Sequence, residues 1–251
     1  MVTAIKTEFL KLLTVRSTYI FTGLILALVT FLSIYVFGYQ QASQKATSPT
    51  FVADTVYSMI GMIVIAVVIL SILLVAHEYR YNTILYTFTL NRSRLKVLLS
   101  KVLVMMTYAL FVGVVTIAIA YFGAKFGLSL RGVSLSPQEI PLAQLAWQYL
   151  AYLWGYALVG IILAVIIRGL VGSIVAFFVI PTAEGLLSLI LKDNTKYLPF
   201  RSLDAIAAPV MTMPVPGFGN LANTTALAVF SVYLAIFGLI ATLLFIKRDA
   251  S

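Results

Sequence analysis

No cysteine occurs among the 251 residues, and His77 is the sole histidine. Disulfides and thiolate metal sites are excluded, and no histidine cluster is left to hold a metal ion. Charge is equally scarce: 10% of residues are Asp, Glu, Lys or Arg, against 62% hydrophobic. A soluble domain carries roughly 25% charged residues, so composition excludes a soluble fold. There is no Gly-x-x-x-x-Gly-Lys-Ser/Thr loop to cradle nucleotide phosphates and no His-Glu-x-x-His. His77 and Glu78 are adjacent, so on a helix they point about 100° apart and make a poor metal pair. No serine has a histidine base other than His77, at a membrane edge. Little in the chain suggests an enzyme.

What the chain does have is long uncharged runs, several beyond the roughly 20 residues that cross a bilayer core. They are continuous rather than alternating in segments of about ten, which favours helices over a membrane barrel. The expected fold class is an all-α membrane protein: a single domain over 1–251, with six transmembrane helices and an N-terminal interfacial amphipathic helix. In the interfacial unit, residues 1–16, Val2, Ile5, Phe9, Leu12 and Leu13 recur at helical spacing. Thr7, Glu8 and Lys11 fall on the opposite face. Such a helix lies in the membrane interface with its apolar side down. A signal-peptide leader is the alternative, but the following run is too long and lacks a small-x-small cleavage site.

The spans are expected at about 18–39, 55–76, 102–124, 142–167, 170–191 and 225–246. Tyr35, Phe37 and Tyr39 suit an aromatic belt, as do Trp147, Tyr149, Tyr152, Trp154 and Tyr156. Ser136-Pro137-Gln138-Glu139 reads as a capping box for the fourth span. Arg168-Gly169 leaves only a tight hairpin between the fourth and fifth spans. Residues 192–224 form the longest external loop, in which 200–211 could be a short helix lying on the membrane. Small residues such as Gly113, Gly155 and Gly160 suit close helix contact.

Pro181 and Glu184 fall within the fifth span. A central carboxylate costs roughly 2.5–3.5 kcal/mol on insertion scales, and Pro181 can kink the helix. One reading makes the pair a polar point or gate in a pathway. The other breaks the span there, leaving Glu184 at the outer interface, hydrated or paired with Lys192 or Arg201.

The net charge of +9 could suggest nucleic acid. In a membrane chain it reflects basic loops on the cytoplasmic side instead. Six spans place both termini on one side. That side carries eleven Lys and Arg residues: Lys6, Lys11, Arg16, Arg80, Arg92, Arg94, Lys96, Lys101, Arg168, Lys247 and Arg248. The other carries six: Lys45, Lys125, Arg131, Lys192, Lys196 and Arg201. Both termini are therefore expected in the cytoplasm.

The loop 77–101 holds five of those charges: Arg80, Arg92, Arg94, Lys96 and Lys101. On charge alone it is a solvated loop that obeys the orientation rule. The order of its residues says more. Glu78, Thr83, a hydrophobic turn over Ile84–Leu90, Ser93-Arg94 and a basic helix through Lys101 resemble the type-two ATP-binding-cassette (ABC) permease family. Asn82 stands where that family usually has glycine, and Asn91 where it has proline. Glu8-Phe9-Leu10-Lys11-Leu12 with Val15-Arg16-Ser17-Thr18, the 158–169 hairpin and Tyr197-Leu198-Pro199 extend the resemblance over nearly the whole chain.

The resemblance implies a membrane-spanning exporter subunit that moves an amphipathic substrate such as a drug, peptide or lipid. Its partners would be two ABC ATPase subunits and a second permease copy, identical or related, in a bacterial cytoplasmic membrane. ATP and Mg would be held by the ATPases, with no cofactor on this chain. It also implies a coupling helix made by Thr83, Ile84, Leu85, Tyr86, Thr87, Phe88, Thr89 and Leu90, flanked by Glu78, Arg80, Arg92 and Arg94. Two other classes stay open: an ion- or proton-coupled secondary transporter with Glu184 carrying the coupling charge, and a non-transporting scaffold or sensor subunit.

Overall fold

A computed structural model describes residues 2–40, 50–81, 83–84, 93–138, 141–207 and 221–247, and the regular structure among them is entirely helical. Helix α1 is Val2–Thr14, and α2 is Arg16–Phe31, continued by a π-helical stretch Leu32–Gln40. Then come α3 (Phe51–Arg80), α4 (Arg94–Ser129), α5 (Leu142–Ile167) and α6 (Leu170–Leu191). A 3₁₀ turn, Lys192–Tyr197, leads into α7 (Pro199–Ala207), and α8 (Asn223–Lys247) closes the described chain. Six stretches are long and apolar enough to cross a bilayer: α2 with its π-helical extension, α3, α4, α5, α6 and α8. The chain is a multi-pass all-α membrane protein.

Helix α3 is the enclosed centre. Val56, Met59, Ile63, Val67 and Val68 are sealed from the surface. Its closest neighbour is α5, and Gly160 makes the approach possible: a Cβ there would lie 2.8 Å from the Ser71 Cβ. Lipid tails are as apolar as leucine, so it is this close van der Waals fit that holds such helices together. Around the rim, Val171, Leu189 and Ile190 of α6 and Val232 and Leu239 of α8 face outward. A second close crossing joins the π-helical stretch to the far end of α4. There Ser33 donates to the carbonyls of Ile119 and Ala120, each at 3.1 Å. Gly38 and Gly127 meet backbone to backbone.

Helix α1, the end of α3, the start of α4, the α5–α6 hairpin and the end of α8 lie at one end of the bundle, called the basic end below. Arg94 donates to the Ile246 carbonyl at 2.9 Å, and the Arg168 guanidinium sits over the Tyr79 ring at 5.1 Å. The expected hairpin is present. Arg168 takes a left-handed conformation (φ 58°) and Gly169 an extended one, which reverses the chain in two residues.

Several expectations need correcting. The loop expected over 77–101 is shorter, because α3 runs on to Arg80 and α4 begins at Arg94. Glu78 and Lys101 are helical residues, kept dry by pairing rather than by leaving the bundle. The interfacial helix spans Val2–Thr14, but Glu8 of its polar face is buried, while Thr7, Phe9, Leu10 and Leu13 are exposed. Residues 136–138 are not helical, so Ser136 caps no helix; α5 starts at Leu142 with Pro141 at its N-cap, and Glu139 of the expected capping box lies outside the described residues. Gln138 instead accepts from the Val52 amide at 3.0 Å, at the start of α3. The fifth span does not break, for α6 continues through Pro181. The short helix expected from residue 200 is present as Pro199–Ala207, with Phe200, Leu203, Ile206 and Ala207 buried against the bundle. Residues 208–211 of that expected helix lie outside the described residues.

Candidate functional site

At the basic end, four charges from three helices form a closed ring. Helix α1 supplies Glu8 and Lys11, three residues apart and so on one face. The last turn of α3 supplies Glu78, and the second turn of α4 supplies Lys101. Lys11 Nζ reaches Glu8 Oε1 at 2.8 Å and Glu78 Oε1 at 2.6 Å. Lys101 Nζ reaches Glu8 Oε2 at 2.7 Å and Glu78 Oε1 at 2.9 Å. Each cation bridges both carboxylates, and each carboxylate bridges both cations. Lys101 also donates to the Leu74 carbonyl at 3.2 Å.

The ring is dry on one side. Lys101 is 0% exposed, Glu8 2% and Glu78 6%, while the Lys11 side chain keeps 38% of its surface. Taking four ions out of water costs several kcal/mol per ion, offset only where geometry and hydrogen bonding are good. Here the charges sum to zero and the contacts are short and charge-assisted. Burial pushes the Lys11 ammonium down, but the Glu78 and Glu8 carboxylates outweigh it and hold the group above its ordinary range. Glu78 Oε2 has no hydrogen-bond partner among the described residues. The ring ties α1 to the α3 and α4 ends that flank the 81–93 connection.

Of the residues expected at the coupling segment, Glu78, Arg80, Thr83, Ile84 and Arg94 are described. Ile84 is buried, Thr83 lies at the surface, and Arg80 sits over the Tyr81 ring at 5.6 Å. Arg94 is engaged with the end of α8. Leu85, Tyr86, Thr87, Phe88, Thr89, Leu90 and Arg92, with Asn82 and Asn91, lie outside the described residues. The basic-loop reading picked out Glu78 and Lys101 but missed their partners Glu8 and Lys11. The available signal was two carboxylates and two ammonium groups, at Glu8, Glu78, Lys11 and Lys101, each beside an apolar run.

A second polar cluster holds α7 at the opposite end. The Glu184 carboxylate accepts from the backbone amides of Phe200, at 3.1 and 3.2 Å, and Arg201, at 3.2 Å. These are N-terminal donors of α7, which lack partners inside their own helix. Glu184 is 4% exposed, so it is neither hydrated nor dependent on Lys192. Asp204 Oδ1 accepts from the Tyr152 and Tyr156 hydroxyls, each at 3.0 Å. The Tyr57 hydroxyl donates to the Ala207 carbonyl. Burial pushes the Asp204 carboxyl up, and the tyrosine hydrogen bonds offset this only in part. Three spans thus clamp one short helix. Among the described residues, no group of three or more His, Asp or Glu side chains could hold a metal ion.

Six spans and an N-terminal amphipathic helix fit the membrane-spanning subunit of a transporter, a permease. The family model for ABC-2 family transporter proteins matches residues 4–184, well over half of the chain. The chain belongs to that family. No curated protein matches it. The matched region contains all four ring residues and ends at Glu184.

Proposed function

We propose that the chain is the permease subunit of an ABC exporter, driven by ATP hydrolysed on two separate ATPase subunits that hold the nucleotide and Mg. A second permease copy, identical or related, completes the pathway for an amphipathic substrate. The basic end faces the cytoplasm of a bacterial cell, with both termini, as the eleven-to-six division of Lys and Arg favours. The ATPase bears on the segment from Thr83 to Arg94. The observation that carries this reading is the ring of Glu8, Lys11, Glu78 and Lys101. It fastens both flanks of that segment to the interfacial helix, so a push on the segment is delivered to three helices together. Glu184 supports the coupled-carrier alternative less well, because both its oxygens are engaged in capping α7.

The test is charge reversal. Arg92→Glu with Arg94→Glu, assembled with the ATPase in vesicles, is expected to leave ATP hydrolysis running while substrate transport is lost. Normal transport by the assembled double variant overturns the assignment of the segment. Transport that survives ATP depletion but stops when the proton gradient is collapsed selects the secondary-transporter class instead.

A further inference from the structure

Two neighbouring cavities flank the elbow between α1 and α2, and Leu12 and Thr18 line both. The larger, of about 540 Å³, runs between α1, α2 and α4 and is walled by Phe9, Leu13, Tyr19, Gly23, Leu26 and Phe111. Its volume falls within the ordinary range of small-molecule sites. The hydroxyls bordering it are already used: Thr22 and Tyr108 bond each other, and Thr107 donates to the Leu103 carbonyl. What remains is an apolar slot open to the side of the bundle. The smaller cavity, of about 240 Å³, lies between α1 and the end of α3, with Lys11, His77, Glu78 and Thr83 among its walls.

The smaller cavity is where the charge ring is incomplete. Glu78 lines it, and the Glu78 Oε2 atom is buried and without a hydrogen-bond partner among the described residues. A buried carboxylate oxygen in that state asks for an N–H donor, best a cationic one. Lys11 stands beside it, with two of its three N–H donors taken by Glu8 and Glu78. Arg16, next in sequence to the lining residue Val15, is exposed. An acceptor for an ammonium, two cations for a phosphate and an apolar slot thus occur in order around one elbow.

We infer that the α1–α2 elbow holds one aminophospholipid of the surrounding leaflet, its ammonium on Glu78, its phosphate by Lys11 and Arg16, and one acyl chain in the slot past Gly23. The lipid completes the ring's hydrogen bonding and wedges the interfacial helix in place. It is a resident of the fold rather than cargo, and its binding does not depend on an ATPase partner. A choline head has no N–H to give Glu78, and a glycerol head has no cation. The site therefore separates lipids that fill the slot equally well.

Gly23 offers a clean probe of the slot. A Cβ there meets nothing within 4 Å, so Gly23→Leu adds apolar bulk at the wall of the slot with its Cβ free of the protein. The full chain is purified in detergent, delipidated, and titrated with phosphatidylethanolamine, phosphatidylcholine or phosphatidylglycerol of the same acyl chains. Bound copies are counted by native mass spectrometry. The expected result is one retained phosphatidylethanolamine per chain, favoured about tenfold or more over the other two, a gap of one decade in affinity. Gly23→Leu should lower retention of that copy about tenfold with an unchanged thermal midpoint. Glu78→Gln should bring the head-group preference close to one. Equal binding of the three lipids to the unmodified chain, or retention unmoved by Gly23→Leu, overturns the site. A folded Glu78→Gln variant with its preference intact overturns the head-group assignment.

Discussion

Replacing Lys101 by methionine tests the charge ring directly. Methionine keeps most of the side-chain length and volume and removes only the ammonium. Glu8 and Glu78, 2% and 6% exposed, would then share Lys11, whose side chain keeps 38% of its surface in contact with solvent. One net negative charge stays behind in a dry site. Removing one partner of a buried pair costs about 3–5 kcal/mol, because the charge left behind is no longer compensated. At 1.4 kcal/mol per decade, the docking equilibrium of α1 shifts by about two to three and a half orders of magnitude. The cysteine-free background supplies the assay. Ala4 is buried under the docked helix, so Ala4→Cys reports undocking through its rate of maleimide labelling in mixed micelles. Labelling is expected to accelerate by at least about a hundredfold in Lys101→Met, the lower limit of that range. The double variant Glu8→Gln/Lys101→Met, which leaves the neutral pair Lys11–Glu78, should recover much of the protection. A single variant that labels as slowly as the parent and melts at the same temperature would refute the ring as the fastening of α1.

Further outcomes are expected. Gly127→Val should abolish folding of the α2–α4 crossing, since a Cβ at 127 runs into the Ile34 carbonyl and lies 2.7 Å from the Gly38 Cα, and backbone cannot yield as a flexible side chain does. Gly61→Ala, where a Cβ meets nothing, should be neutral or slightly stabilising in the same thermal assay. Glu184→Leu strands the Phe200 and Arg201 amides, at about 1–3 kcal/mol per unsatisfied donor, and should raise amide exchange across 199–207. Glu184→Gln keeps an acceptor and should cost far less; equal exchange in the two variants would dismiss the capping role. Asp204 titrates above its ordinary range because burial disfavours its anion. The folded state then binds the proton more readily than the unfolded one. Stability falls as pH rises from the unfolded value through the raised folded one, and is flat above it. The thermal midpoint followed upward from the ordinary carboxylate range should lose that slope in Asp204→Asn, and an unchanged slope would assign it to another group.

The six spans were legible because a bilayer imposes a length and a polarity that no other environment does. The hairpin at Arg168 and the end of the last span at Lys247 followed their charges, and the reading failed where a charge taken to mark the edge of the apolar layer is paired inside the bundle. Lys101 looked like the foot of a span at the water boundary. In the fold it is fully buried, because carboxylates 93 and 23 residues earlier in the chain reach it. Glu8 was assigned to the solvent face of an amphipathic helix for the same reason, and it is buried. Glu184 and Asp204 were opaque in a different way. One finds backbone amides and the other two tyrosine hydroxyls, partners that carry no charge and leave no mark in a count of Lys and Arg.

These failures share one physical cause, and it bears on mechanism. A charge beside an apolar run is either hydrated or paired, and local sequence cannot choose between the two because the partner lies on another helix. Pairing has a mechanical consequence that hydration lacks. A hydrated Lys101 would leave α1 free to slide in the interface while α3 and α4 moved. The paired one makes α1, α3 and α4 move together at the basic end, since separating any of them strands a buried charge. On the proposed reading, force delivered to the segment between Thr83 and Arg94 is therefore not absorbed by a loosely held interfacial helix. It passes through α3, the most enclosed helix of the bundle, to α5 at the Gly160 contact and to the clamp that Tyr152 and Tyr156 make on α7 at the far end.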